Sequence, residues 1–244
     1  MRTLEEKEAG IGTRQAKEDL FAAIAQVAGA LSSGRRLEIV DLLSQGERSV
    51  EEVASETSQS VANASHHLRS LARSGLVRSR KEGTRVYYRL AGPEAEALWE
   101  ALSWAAQSVR DDLERLAAAY LGPLKDLEAI TREDLVQRMS EGSVIVLDVR
   151  PVPEYQAAHI PGAVSVPIDK LDEAVGSMPL GTDVVAYCRG PYCVFAPAAV
   201  RALAAMGFHS YRLEEGLPQW RRKGFPIAGR EASGGGDAQE LEER

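Results

Sequence analysis

Apolar positions in the first third of the chain follow the spacing of short amphipathic helices. Apolar side chains recur every three or four residues over 17–31 and again over 35–44, which predicts two helices. Ser49 is expected to open a short third helix. A fourth helix is expected over 60–74, with Ser60 as its N-terminal cap and Gly75 as its C-terminal stop.

A hairpin and a long helix are predicted next. Two β-rich halves of the segment 76–90 flank Glu82 and Gly83, a pattern typical of a hairpin with a longer loop. Helices followed by a hairpin in this order indicate a mainly α winged helix-turn-helix. An apolar stripe then predicts one long helix over 94–120, ending at Gly122. Such a stripe suits either a core helix or, as we expect from its length, pairing with a second copy of the chain.

The second half of the chain changes to alternating strands and helices. Thr131 begins a capping pattern for a short helix, and continuous apolar runs of strand length follow. The elements expected here are strands over 143–150, 183–187 and 210–213 and helices over 195–206 and 217–222. This alternation predicts an α/β domain with a mainly parallel sheet.

Two domains therefore account for most of the chain. We expect a DNA-binding and dimerisation domain over 14–121, a linker over 122–129 and the α/β domain over 130–228. Residues 1–13 and 229–244 are polar, the second segment is rich in glycine, and both are expected to be disordered.

Composition and charge narrow the choice of partners. The 244 residues carry a formal net charge of −7, which argues mildly against nucleic acid for the chain as a whole. Residues 69–89, however, hold seven basic residues and one acid. This stripe is either a solvated helix face or, as we expect from its position, a footprint for DNA. No apolar stretch approaches the roughly 18 residues that span a bilayer, and the N-terminus has no apolar signal core. A cytoplasmic protein without a membrane partner is expected.

One face of the helix over 60–74 is suited to DNA. Asn63 near its N-terminus can approach base edges, and arginines beside it can hold phosphates. The hairpin would place further cations at a wing. The predicted DNA-binding residues are Asn63, Ser65, His66, Arg69, Arg73, Arg80, Lys81 and Arg85. His67 falls nearer the buried face and is interpreted as a packed histidine rather than a metal ligand.

The only two cysteines, Cys188 and Cys193, point to thiol chemistry. Two thiols are too few for a four-thiolate zinc site, and no metal or cofactor is predicted. Cys188 lies between a strand and a helix, where backbone N–H groups and the helix N-terminus would favour its thiolate. Arg189 and Gly190 fit an anion-binding loop. The alternative is a small buried cysteine in a turn.

The sequence ASHHLRSLARSGLVRSRKEGTRVYYRLA resembles the recognition helix and wing of the ArsR family of bacterial repressors. The resemblance implies a homodimer that binds double-stranded DNA at an imperfect inverted repeat and is released by an inducer. Metal-sensing members carry cysteines before the recognition helix or histidines on the last helix. The stretch 47–50 has no cysteine and 94–120 no histidine, so both familiar metal sites are expected to be absent.

The second half resembles rhodaneses in three motifs. LDVRPVPEYQAAHIPGAVSVP is similar to the first rhodanese signature, CRGPYC to the active-site loop and EGLPQW to the closing signature. The resemblance implies a sulfur acceptor at Cys188 and an architectural role for His159. The residues expected at this site are Cys188, Cys193, Arg189, Gly190, Asp148 and Arg150.

Cys193 stands where many rhodaneses have Arg, Ser or Thr, which puts simple thiosulfate:cyanide turnover in doubt and adds a resolving thiol. A related phosphatase would need Arg at position 194, which is Val.

Three functions remain open. The favoured hypothesis is a transcriptional regulator that accepts sulfane sulfur from a small-molecule donor as a persulfide on Cys188 and couples this to DNA binding. The alternatives are a sulfurtransferase, or an arsenate-handling thiol enzyme, with an accessory DNA-binding domain, and a redox sensor that forms a Cys188–Cys193 disulfide.

Overall fold

The computed structural model describes residues 12–176, 178–179 and 181–230. The chain divides into two compact units, one ending at Ala105 and the other beginning at Ala106, whereas the sequence suggested a domain boundary at residue 121. No helix in the described ranges combines the length and apolar character needed to cross a bilayer.

The first unit is a small helical domain with a three-stranded antiparallel sheet. In chain order its elements are α1 (Arg14–Ala30), α2 (Gly34–Leu43), β1 (Arg48–Ser49), α3 (Val50–Glu56), α4 (Val61–Arg73), β2 (Val77–Glu82), β3 (Arg85–Leu90) and the greater part of α5 (Pro93–Val109). β3 pairs with β2 on one side and with β1 on the other. The winged helix-turn-helix expected from the sequence is therefore confirmed, with β1 as an unpredicted edge strand.

Local capping fixes the helix-turn-helix. The Ser49 hydroxyl accepts a hydrogen bond from the N–H of Glu52, and the Glu52 carboxylate accepts one from the N–H of Ser49. These two hydrogen bonds form a capping box at the start of α3. Ser60 caps α4 in the expected way, and Gly75 ends it with φ +80°, a conformation that favours glycine. Ser60 and Gly75 thus define the two ends of α4. The buried side of this helix packs against α3 and α2.

The prediction of a single helix over 94–120 is wrong. α5 ends at Val109, and a separate helix α6 (Leu113–Leu121) follows. Between these two helices the Arg110 guanidinium donates two hydrogen bonds of 2.9 Å to the Asp112 carboxylate. Aspartates compete with the helical backbone, and their charge is favourable at a helix N-terminus, so Asp111 and Asp112 restart the helix rather than continue it.

The second unit is an α/β domain. After α6 its elements are β4 (Ala129–Ile130), α7 (Arg132–Ser140), β5 (Val144–Asp148), α8 (Val152–Ala157), β6 (Val164–Ser165), a 3-10 turn (Ile168–Lys170), α9 (Leu171–Val175), β7 (Asp183–Tyr187), α10 (Phe195–Ala205), β8 (Ser210–Leu213) and α11 (Leu217–Arg222). The sheet is parallel throughout, in the order β4-β8-β7-β5-β6. The predicted parallel α/β fold is confirmed, and the short strands β4 and β6 and the helices α8 and α9 are additions to it.

Both faces of this sheet are buried. Alternate residues of β7 point to opposite sides, so Val184 and Ala186 pack with α10 while Val185 and Tyr187 pack beneath Trp220. Burial on both faces explains why β5 and β7 form continuous apolar runs in the sequence.

A buried polar network lies at the carboxyl end of β5. The Arg150 guanidinium donates to Asp148 at 2.9 and 2.6 Å and to the carbonyl of Ala158 at 2.7 Å. The Tyr187 hydroxyl donates to Asp148 at 2.6 Å and accepts the N–H of Ile160. Burial alone would lower the pKa of Arg150, but the hydrogen bonds and charge of Asp148 outweigh it and raise that pKa. Arg150 therefore remains charged inside the protein, and Asp148, which contacts both Arg150 and Tyr187, joins β5 to β7.

Replacing Arg150 is expected to destabilise the second unit strongly. Arg150→Met leaves the Asp148 carboxylate buried without its cation, which typically costs about 3–5 kcal/mol. Tyr187→Phe removes one donor and is expected to cost about 1–3 kcal/mol. Hydrogen exchange of the amides of β5 and β7 measures both effects.

A matched control is Arg138→Met, which breaks an ion pair to Asp183 whose side chains are about a third exposed. Its expected cost is about 0–1 kcal/mol. If the amides of β5 and β7 were equally protected from hydrogen exchange in Arg150→Met and Arg138→Met, the buried network would not have the stabilising role given to it.

Candidate functional site

The outer face of α4 presents the side chains predicted to meet DNA. Asn63, His66, Arg69 and Arg73 are exposed and Ser65 is half-buried. The opposite face is formed by Ala64, Leu68 and Leu71, which are fully buried in the core of the first unit. The helix therefore presents polar and basic groups on one side, with nothing bulky between them and solvent.

His67 lies between these two faces. Its Nδ1 atom is buried and has no hydrogen-bond partner within the described chain. Burial lowers the pKa of His67, and repulsion from His66, Arg36 and Arg35 lowers it further. The neutral form is favoured, as the interpretation of a packed histidine requires.

The basic side chains of the wing, which is the hairpin of β2 and β3, have different surroundings. Arg80 donates to Glu47 at 2.7 Å, pairs with Glu82 and lies over the Tyr87 ring at 4.6 Å. The hydrogen bonds that Arg80 donates to Glu47 and Glu82 raise the pKa of Arg80. Lys81 and Arg85 are exposed near the turn. Glu47 is a partner that the sequence did not single out, because it lies 33 positions away from Arg80.

The second candidate site is the loop between β7 and α10. Cys188 follows directly on β7 and is 3% exposed, whereas Cys193 is half-buried. The Cys188 sulfur lies 3.9 Å from the carbonyl oxygen of Gly190 and 3.8 Å from that of Cys193. The amide of Cys193 in turn donates to the carbonyl of Gly190 at 3.1 Å, closing the loop on itself.

The two thiols lie in different electrostatic surroundings. Burial raises the pKa of Cys188, and the hydrogen bond and charge of Cys193 raise it further, against the N–H groups of Ala196 and Gly190. A hydrogen bond from Cys188 lowers the pKa of Cys193, helped by the N–H groups of Phe195 and Arg189 and by the Arg189 charge. The raised pKa of Cys188 runs against the expected stabilisation of its thiolate, since α10 begins only after Cys193 and Cys188 is 3% exposed.

Arg189 is already paired within the protein. Its guanidinium donates to Glu154 at 2.6 Å, and Glu154 is 1% exposed. Arg189 also lies over the Phe195 ring at 5.4 Å. The side chain thus ties the sulfur loop to α8. Glu154 belongs to the first rhodanese-like motif, but no local pattern in that motif indicates a contact with this loop.

Glycines let the closing motif support the loop. A Cβ on Gly216 would lie 2.3 Å from the carbonyl oxygen of Arg189, so only glycine fits there. Gly190 faces the Gln219 amide, and the N–H of Leu217 donates to the carbonyl of Cys188 at 3.3 Å. The CRGPYC and EGLPQW motifs, distant in sequence, are therefore in direct contact.

The remaining predicted residues of this site lie in the scaffold. Asp148 and Arg150 have no exposed surface and belong to the buried network described above. His159 stacks on Tyr155 with ring centroids 3.8 Å apart, and its Nδ1 contacts the Tyr155 carbonyl at 2.7 Å. Among the described residues, no group of three or more His, Cys, Asp or Glu side chains could hold a metal ion.

Comparison with known proteins identifies both halves of the chain. The family model for the bacterial regulatory protein, arsR family, matches residues 33–79, and the model for the rhodanese-like domain matches residues 131–223. The HTH-type transcriptional regulator Rv0324 of Mycobacterium tuberculosis is 44% identical over 216 residues, covering 88% of this chain and 95% of its own length. A cadmium resistance transcriptional regulatory protein CadC homolog of Staphylococcus aureus is 42% identical over 91 residues, covering 35% of this chain and 75% of its own.

Two solved structures match one half each. The homodimeric winged helix-turn-helix DNA-binding domain Mb0332 of Mycobacterium bovis is 42% identical, with a TM-score of 0.39, covering 41% of this chain and 93% of that one. A rhodanese-related protein of Thermoplasma volcanium is 25% identical, with a TM-score of 0.38, covering 41% of this chain and 97% of that one. On the family models and the full-length relative, the chain belongs to the ArsR family of bacterial regulatory proteins and is a transcriptional regulator in which a rhodanese-like domain follows the DNA-binding domain.

Proposed function

We propose that this regulator takes up sulfane sulfur as a persulfide on Cys188 and that loading changes its affinity for DNA. The observation that carries the proposal is the loop from Cys188 to Cys193 at the end of a rhodanese-like sheet, where the Cys188 sulfur lies 3.8 Å from the carbonyl oxygen of Cys193. Thiols that exchange sulfur need a nucleophilic thiolate next to a partner thiol. The DNA-binding half contains no cysteine, so the reactive sulfur chemistry of the chain is confined to this loop.

DNA binding is proposed to use the exposed face of α4 together with the wing. Asn63 and His66 lie where a recognition helix meets base edges, and Arg69 and Arg73 continue the same face toward the phosphates. Lys81 and Arg85 extend the basic surface beyond the helix. Double-stranded DNA is the partner that this combination of polar and basic groups suits.

A second copy of the chain is the other proposed partner. Leu20, Phe21 and Ile24 on α1 are 58–59% exposed and share one side of the helix. Leu102 and Trp104 on α5 are also exposed, Trp104 by 71%. Apolar surfaces of this kind on a soluble domain are usually covered by another protein. A homodimer would bind an inverted repeat whose half-sites lie about one helical turn apart.

The paired cysteines also favour a second candidate, a redox sensor. A peroxide would oxidise the Cys193 thiolate to a sulfenic acid, which would condense with the Cys188 thiol to a disulfide and release water. A third candidate, a sulfurtransferase enzyme, would hand sulfur to a soluble acceptor over many turnovers. A sensor loads about one sulfur per chain and then stops, so steady-state turnover separates these functions.

Sulfur loading is expected to change DNA affinity roughly 5- to 150-fold, the range of an allosteric coupling of about 1–3 kcal/mol. The measurement is fluorescence anisotropy of an operator duplex with and without sodium tetrasulfide, run beside intact mass. Cys188→Ser is expected to abolish the response. If Cys188 loads fully and the affinity for DNA does not change, the sensor is refuted and a sulfurtransferase becomes the favoured function of this loop.

The wing cations are expected to contribute unequally to DNA binding. Lys81→Ala should weaken binding to all sequences alike and lower the salt slope by about one per lost phosphate contact. Arg80→Ala should have a smaller effect, because Arg80 must first leave Glu47 and Glu82. Asn63→Ala should relax sequence preference instead. Lys170→Ala in the second unit is the control, and binding that ignores salt concentration would refute the proposed interface.

Zinc is expected not to release the protein from DNA, because the familiar metal sites of the family lack ligands here. Arsenite is expected to act only if Cys188 and Cys193 capture it together. A gel-shift titration of each ion on the wild type and on a variant lacking both cysteines makes the comparison. Release by low micromolar zinc in that double variant would reveal a site outside those considered.

A further inference from the structure

A cavity lies beside the sulfur loop in the second unit. Its volume is about 690 Å³, which is within the usual range of sites for small organic molecules. One part of its wall is formed by Pro191 and Tyr192, which belong to the loop between the two cysteines. Arg212 of β8 forms another part, and α6 contributes the apolar side chains of Leu113, Ala117 and Leu121. A molecule bound in this cavity would therefore contact the loop that carries both thiols.

Two polar groups of residues that line this cavity are buried without a partner. They are the hydroxyl of Tyr192 and the Nε of Arg212, and neither has a hydrogen bond within the described chain. Buried polar groups in folded proteins are nearly always paired, so these two favour an acceptor supplied by a bound molecule. The Arg212 guanidinium can only donate, and it carries a positive charge. An anionic oxygen, such as that of a carboxylate, would suit both groups.

The rim of the cavity carries mainly the opposite charge. Asp111, Glu114 and Glu214 line it and are exposed, whereas the Arg110 guanidinium, also exposed, already pairs with Asp112. A purely anionic ligand would be repelled by these carboxylates, and an ammonium group would be attracted to them. The cavity therefore fits a small organic zwitterion, with a carboxylate for the buried donors and an ammonium for the rim.

We propose that this cavity binds the organic part of the sulfur donor, and that the donor is the persulfide of an amino acid or short peptide. The inference rests on the proposed function and adds to it the class of donor. The stretch 107–124, which supplies one wall, lies between the two matched segments 33–79 and 131–223, so neither family model includes that wall.

The transfer from such a donor, written RS–SH, conserves atoms and electrons. Cys188 attacks the outer sulfur as its thiolate, the S–S bond of the donor breaks, and the electron pair of that bond leaves with RS⁻. The leaving thiolate takes up the proton that Cys188 released, so the products are a persulfide on Cys188 and the thiol RSH. The sulfane sulfur changes carrier without a change of oxidation state, and no separate oxidant is needed.

Binding is measured apart from sulfur transfer with S-methylglutathione, which has the carboxylates and ammonium of glutathione but no reactive sulfur. In calorimetric titrations of the full-length protein, Tyr192→Phe should raise the Kd roughly 2- to 10-fold and Arg212→Gln roughly 10- to 150-fold, the ranges for a neutral and a charged hydrogen bond. Tyr120→Phe and Arg115→Gln are matched controls on α6, since both side chains are exposed and lie outside the cavity lining. Both controls should bind like the wild type.

The acidic rim is tested with two ligands. The double variant Glu114→Gln with Glu214→Gln should weaken S-methylglutathione roughly 2- to 5-fold, as expected for exposed charge pairs. It should not weaken 3-(methylthio)propionate, which has a carboxylate and no ammonium. Equal weakening of both ligands would contradict a zwitterionic donor.

Loading rates connect the cavity to the sulfur loop. For each protein, the rate of loading by glutathione persulfide at limiting concentration is divided by its own rate with sodium tetrasulfide, an inorganic donor without carboxylate or ammonium. Intact mass gives both rates, and the ratio removes any general effect of a substitution on the loop. The ratio should fall in Tyr192→Phe and Arg212→Gln by about the factor by which binding weakens, and should stay at the wild-type value in both controls.

The donor site is overturned if S-methylglutathione does not bind the wild type, if it binds every variant equally, or if the rate ratio is the same in all of them. The proposed function survives each of these results, because tetrasulfide still loads Cys188. If neither donor adds sulfur to the wild type, the proposed function itself is refuted.

Discussion

A buried chain of four charges holds the sulfur loop on its sheet. Asp148 and Arg150 pair at 2.6 Å, Arg150 lies 4.0 Å from Glu154, and Glu154 pairs with Arg189 at 2.6 Å. The signs alternate and sum to zero, so each charge of the chain has an opposite charge beside it. The chain runs from the end of β5 to the residue after Cys188, so the position of the loop depends on it. Gly216 completes the constraint, because its missing side chain lets the closing motif contact the backbone of Arg189.

This anchoring also sets the electrostatics of the two thiols. Glu154 already neutralises much of the Arg189 charge, so Arg189 cannot act as an isolated cation for both sulfurs. Burial and the nearby N–H donors then act on the pKa of each thiol. Cys188 is more deeply buried, and the desolvation penalty for its thiolate is correspondingly larger. The raised pKa of Cys188 therefore follows from its depth in the fold.

Most of the fold could be predicted from the sequence, and the failures have identifiable causes. Helices such as α4 and α11 carry caps and strong periodicity, so their bounds agree with the prediction. Strands β4 and β6 have two residues each, too few for any period to show. The break between α5 and α6 interrupts an apolar stripe that continues on both sides, and only Asp111 and Asp112 signal it. The burial of Cys188 and the Arg80–Glu47 contact depend on tertiary placement, which no local pattern encodes.

The wing and the sulfur loop differ in how exposed their ion pairs are, and this difference suits a regulator. At the wing, Arg80 is paired at the surface with Glu47 and Glu82, and exposed pairs contribute only about 0–1 kcal/mol, so phosphate can displace those carboxylates at little cost. In the sulfur loop Glu154 is 1% exposed and pairs with Arg189, and breaking this pair would deprive a buried carboxylate of its hydrogen bonds to the Arg189 guanidinium. A surface that exchanges its ion pairs easily can bind and release DNA. A loop whose ion pairs are fixed can hold a reactive sulfur in one geometry.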